Sequence, residues 1–142
     1  MAVDYQDRFD NAKPTYTKVN EKQFADLPAG TTVLIPSPSD IASVIDTIPS
    51  GTTRTLTELR DALASQYDAD GACPVMTGMN LRVVAEVNLS ALDAGVPVEH
   101  VTPVWRALDP NSKVATKTPG GAARIRALRI AEGIAEGNAE TS

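Results

Sequence analysis

The sequence predicts an α+β fold that is mainly helical: a winged helix-turn-helix with a β-hairpin wing. Three observations carry it. Two helical patterns, residues 55–67 and the run beginning at Pro74, flank an Asp70-Gly71 turn, and two helices joined by a short glycine-containing turn form a helix-turn-helix. Further on, Val101–Leu108 is β-branched and apolar and is followed by Asp-Pro-Asn-Ser and Lys113–Lys117, which reads as strand, type I turn and return strand. A last helical pattern spans residues 122–132 after the pair Gly120 and Gly121.

In chain order, residues 1–32 show no sustained period and only scattered anchors (Tyr5, Phe9, Tyr16, Phe24 and Leu27), the pattern of an extended, weakly packed arm. TTVLIP, residues 31–36, is a strand or a lead-in. In SPSDIASVIDTIPSG, Ser37 is placed as N-cap, Pro38 at the first helical position and Asp40 in the first turn, with Ile41, Val44, Ile45 and Ile48 at helical spacing. Pro49 and Gly51 stop that helix. Thr55 and Glu58 make a capping box for the next, whose face is Leu56, Leu59, Ala62 and Leu63. From Pro74 onward, Met76, Met79, Val83 and Val87 form a stripe, while Gly78 and Arg82, four apart, share a neighbouring face. The boundaries expected are an arm at 1–32, a domain at 33–133 and a small, polar tail at 134–142 that frays.

A chain of 142 residues suffices for one ordinary core. MAVDYQDRFDNAK lacks the basic start and apolar run of a leader, and no stretch approaches membrane-spanning length, so a cytoplasmic protein without a membrane partner is expected. One cysteine excludes an internal disulfide, and one cysteine with one histidine builds no zinc cage, so neither metal nor cofactor is expected. The net charge of -5 argues against nucleic acid, since phosphate neutralisation supplies most non-specific affinity. Its distribution argues the other way. Between Thr102 and Ile130, Arg106, Lys113, Lys117, Arg124, Arg126 and Arg129 face one acid, Asp109, a local +5 against -10 elsewhere. That segment reads as an anion-facing surface.

The stretch HVTPVWRALD, residues 100–109, sets a tryptophan and an arginine inside an apolar run. It lies in a series of segments, IPSGTTRTLTELRDALA, TGMNLR, TPVWRAL and PGGAARIRALRIAEG, whose order and spacing resemble the DNA-binding domain of alkylguanine-DNA alkyltransferases and their alkyltransferase-like relatives. The resemblance covers about Ser37 to Gly133, roughly two thirds of the chain, with a longer segment from Arg82 to Pro103 than is usual in the family. In the family a Pro-Cys-His-Arg strand supplies a thiolate that takes the alkyl group, activated by the histidine through water and by a downstream glutamate. This chain has Pro103, Val104, Trp105 and Arg106 there, and Glu132 at the glutamate position.

An alkyl side chain is no nucleophile and an indole no general base, so the resemblance implies a degenerate site at Val104, Trp105 and Glu132, with no catalytic residue and no alkyl transfer. Glu132 would then have nothing to orient. Relatives whose acceptor cysteine is replaced still bind lesions and pass them to excision repair, so the implied role is non-catalytic binding of double-stranded DNA, with alkylated guanine as the lesion sensed. The DNA-contacting residues expected are Gly78, Arg82, Trp105, Arg106, Lys113, Lys117, Arg124 and Arg126. Arg82 matches the arginine that enters the duplex beside an extruded base, and Gly78 leaves room for close backbone approach. Leu56 stands where the family has a tyrosine that turns the target phosphate, which weighs against base flipping. Trp105 reads first as core and second as a stacking platform. Two rivals stand beside this reading: an interaction module on the same fold, serving a protein partner or a homodimer, and, last, an enzyme using Cys73, which precedes Pro74 at a helix start.

Overall fold

Ser37 and Thr55 each open a helix by the chemistry their side chains offer. The structure, a computed structural model, describes residues 3–134. The Ser37 hydroxyl accepts from the Asp40 N–H at 3.1 Å and Pro38 takes the first turn of a helix, α2 (Pro38–Asp46), which buries Ile41, Val44 and Ile45. Thr55 and Glu58 close both halves of a capping box, at 3.1 and 2.9 Å, and start α3 (Leu56–Gln66). Each cap satisfies N–H groups that the first helical turn leaves without partners.

The fold is α+β and mainly helical, with one three-stranded sheet. Its strands come from the N-terminal part of the chain, not from the expected wing. A short helix α1 (Tyr5–Asp10) precedes β1 (Tyr16–Val19), which pairs antiparallel with β2 (Thr32–Ile35) in the register Tyr16 to Ile35 and Val19 to Thr32. On its other edge β2 pairs in parallel with β3 (Gly71–Ala72). Part of the segment read as an extended arm is thus paired with the sheet, and Leu27 is buried with Val33 and Ile35 in a small apolar cluster.

After β3 comes α4 (Pro74–Asp93), and residues 67–73 between α3 and α4 form a connection that contains a strand instead of a bare turn. The core face of α4 is Thr77, Leu81, Val84, Ala85 and Leu89, with Val83 also buried; the expected stripe is rotated, and Met79 is 55% exposed. On α3, Leu59 and Leu63 are buried as expected, while Leu56 is exposed and Arg60 and Ala64 turn inward in place of Ala62.

The β-hairpin wing does not form. Val104–Arg106 is a 3-10 turn and Lys113–Lys117 is a helix, α5. Two physical causes are visible. Val101, Pro103, Val104, Trp105, Ala107 and Leu108 are all buried, so apolar side chains fall on both alternating faces of the run, and such a run does not distinguish strand from turn or helix. Ser112, assigned to a hairpin turn, is instead the N-cap of α5, its hydroxyl accepting from the Ala115 N–H at 3.2 Å. The last helix, α6 (Gly121–Ala131), follows Gly120, whose positive φ of 83° suits glycine. Ile134, the first residue of the expected tail, is buried, and its N–H donates to the Arg129 carbonyl; residues 135–142 lie outside the described residues. Among the described residues no helix is long and apolar enough to cross a membrane.

Candidate functional site

The 3-10 turn at Val104–Arg106 is gripped from several directions. Val104 and Trp105 are buried at 0% and 2% exposure. The indole Nε1 of Trp105 donates to Glu132 Oε2 at 2.9 Å, and the Arg106 guanidinium meets the same carboxylate, Nε at 2.9 Å from Oε1 and Nη2 at 2.6 Å from Oε2. Arg106 Nη1 donates to the Ile48 carbonyl at 2.8 Å, and the Gly51 N–H donates to Glu132 Oε1 at 3.0 Å. Two further bonds hold the backbone of the turn: Arg129 Nε to the Trp105 carbonyl at 2.6 Å and the Arg54 N–H to the Arg106 carbonyl at 2.7 Å.

Glu132 is therefore far from idle, contrary to the expectation that it had nothing to orient. It accepts from the indole, the guanidinium and a backbone amide, joining the turn after α2, the 104–106 segment and the end of α6. Burial pushes its carboxyl up, but the Arg106 and Gly51 donors, then the Trp105 indole and the Arg106 charge, outweigh this and hold it below the usual carboxylate range. The ion pair is nearly enclosed, with side-chain exposures of 15% and 14%. Beside it lies a cavity of about 450 Å³, lined by Trp105, Arg106, Leu128 and Glu132 together with the acidic residues Asp46 and Glu99.

Trp105 is core, the first of its two readings, with its indole bonded to Glu132, and the Arg106 fork meets Glu132 and Ile48. The local +5 is also diluted. Arg124 pairs with Asp93 at 2.9 Å, Arg126 donates to the Asn111 side chain at 2.6 Å, and Arg129 is buried at 4% exposure. Lys113 and Lys117 stand exposed on α5.

Gly78 and Arg82 lie on α4, away from the Glu132 network. A Cβ at Gly78 would meet nothing within 4 Å, so the backbone there is open to close approach. Arg82 pairs with Glu86 one turn on, at 3.3 Å, and its guanidinium lies over the Tyr5 ring at 5.4 Å. Helix α1 therefore sets an aromatic ring over the arginine that the sequence singled out, whose side chain stays 32% exposed.

Arg60 carries a role that the sequence reading missed. It is 9% exposed and forks onto Asp26 at 2.7 and 3.0 Å while its Nε donates to the Ala72 carbonyl at 2.9 Å, fastening the 20–30 segment and β3 to α3. The only sequence signal was its place between Leu59 and Leu63, where a charged residue reads as solvent-facing. Cys73 is half-buried against the Leu27, Val33 and Ile35 cluster, and it caps α4 without a side-chain bond. No family model, no curated protein and no solved structure matches this chain.

Proposed function

We propose that this chain is a non-catalytic, DNA-binding protein of the alkyltransferase-like type, which senses alkylated guanine in double-stranded DNA without accepting the alkyl group. The observation that carries this reading is the Glu132 network. A carboxylate that accepts from Trp105, Arg106 and Gly51 has no unshared proton relay to offer a nucleophile, and Val104 offers none to activate. The cavity of about 450 Å³ beside it is within the size range of small-molecule sites and suits a planar base taken out of the stack. In this reading α3 and α4 are the helix-turn-helix, with Gly78 and Arg82 toward the duplex and Lys113 and Lys117 on phosphates, while Arg124 and Arg126 assist only if they leave Asp93 and Asn111. The winged form of the motif would need a wing other than residues 101–117.

Fluorescence anisotropy with a short duplex, with and without one O6-alkylguanine, tests the reading. Binding is expected at low salt, tighter for the modified duplex, and Arg82→Ala is expected to erase that preference. A folded protein that binds neither duplex at low salt refutes it.

A second reading has its own support. The acidic residues Asp46 and Glu99 in the cavity lining and the Tyr5 ring over Arg82 both oppose phosphate, which favours an interaction module for a protein partner or a homodimer. A folded chain that ignores DNA and sediments as a dimer would establish it.

A further inference from the structure

Helix α1 meets α4 through half-buried side chains. Helix α1 is capped by its own Asp4, whose side chain accepts from the Asp7 N–H at 3.0 Å, and it contains no buried residue. Phe9 and Tyr5 are half-buried, and Phe9 packs at the edge of the main core. Open space of about 500 Å³ lies on one side of it, toward Met76, Met79 and Val83, and about 830 Å³ on the other, toward Arg82, Glu86 and Val87. A helix that completes its own cap and has space on both flanks keeps its own structure on moving away, giving up the contacts of Phe9 with the core and of Tyr5 with Arg82.

The chain just after α1 is anchored independently. The Thr15 hydroxyl bonds Asp40, the Ser37 N–H donates to Thr15 at 2.9 Å, and β1 is paired along its length with β2. Residues 11–14 can therefore pivot while the sheet stays in place. What α1 sets over α4 is also specific in charge: Asp4, Asp7 and Asp10 with one base, Arg8, and the Tyr5 ring on the Arg82 guanidinium. An aromatic face satisfies a cation electrostatically, and three carboxylates beside it repel a phosphate backbone.

From this we infer that α1 is an autoinhibitory cover: docked, it occupies Arg82 and sets negative charge over α4, and it must swing away before α4 meets a duplex. The inference rests on the DNA-binding reading and adds regulation to it. It makes the binding-competent population a minor one, so apparent affinity falls by the competent fraction.

The test compares three proteins on one duplex at low salt by anisotropy: the full chain, Tyr5→Ala, and a chain lacking residues 1–12. Tyr5→Ala leaves every charge in place, and the deletion removes three acids and one base. Both are expected to bind about tenfold more tightly than the full chain, the gain expected from freeing a state populated near a tenth. Arg82→Ala in the shortened chain should abolish its gain. Hydrogen exchange of the full chain should show residues 8–11 exchanging faster when duplex is added while α4 slows. A gain in the deletion without one in Tyr5→Ala overturns the cover, because lost charge then explains it. Equal affinity of all three overturns the cover and leaves DNA binding standing. No binding by any of them, each folded by circular dichroism, removes the cover together with DNA binding.

Discussion

Glu132 has three kinds of donor on one carboxylate, and removing the charge leaves Arg106 enclosed without its counter-ion. Glu132→Gln is expected to destabilise the protein by about 3 kcal/mol, the scale for breaking a buried pair by removing one partner. Because the folded carboxyl lies below its ordinary value of 4.5, its stabilisation is fully present above that value and is lost as pH falls through the lowered folded one. Thermal unfolding of wild type and variant should therefore differ most at neutral pH and converge on acidification. Val104 is fully buried, so a thiol introduced there would sit beside an indole and a committed carboxylate. Val104→Cys is expected to gain no benzyl adduct from benzylguanine by intact mass, since a thiol of ordinary pKa near 8.5 is only a few per cent ionised at neutral pH. The sequence already marked residues 104, 105 and 132 as one site through a resemblance. It could not reveal that the Trp105 indole donates to Glu132, because that depends on where α6 ends in space.

Caps are the elements that the sequence specified best. Ser37 with Asp40, and Thr55 with Glu58, act over three residues, and nothing distant competes with them. Thr55→Ala should cost about 1 kcal/mol in urea unfolding, the ordinary worth of an N-cap, with little change in slope. The wing failed for the opposite reason. Whether Val101–Leu108 becomes a strand depends on a partner strand elsewhere, and here its apolar residues are buried around the one 3-10 turn at Val104–Arg106 instead. The face of α4 was misread by about one position in the helical repeat. Met79 looks apolar in a periodic count, yet Thr77 takes the inner place because its hydroxyl is satisfied by the Cys73 carbonyl at 2.7 Å. Threonine buried with its own backbone bond leaves no hydrophobic signature.

Charge belongs to the molecule as a whole. The net -5 and the local +5 are both true of the sequence, but pairing with Glu132 and Asp93 cancels Arg106 and Arg124. The salt dependence of duplex binding should accordingly be shallow, a slope near -2 to -3 if Lys113, Lys117 and an uncovered Arg82 supply the contacts, at about 0.9 per phosphate. Replacing Lys113 and Lys117 together by alanine should reduce its magnitude by about 1.8, measured by anisotropy across a salt series. The bond from the Gly51 N–H to Glu132 has a consequence of another kind. It spans 81 positions in sequence, so closing it costs more chain entropy than any cap and contributes only after α6 is in place. During synthesis, the turn at 104–106 therefore has its bonds to Ile48 and Arg54 within reach before residue 132 emerges, and the carboxylate clasps it last. If that clasp also forms late in folding, the carboxylate slows the unfolding of the finished molecule more than it speeds assembly.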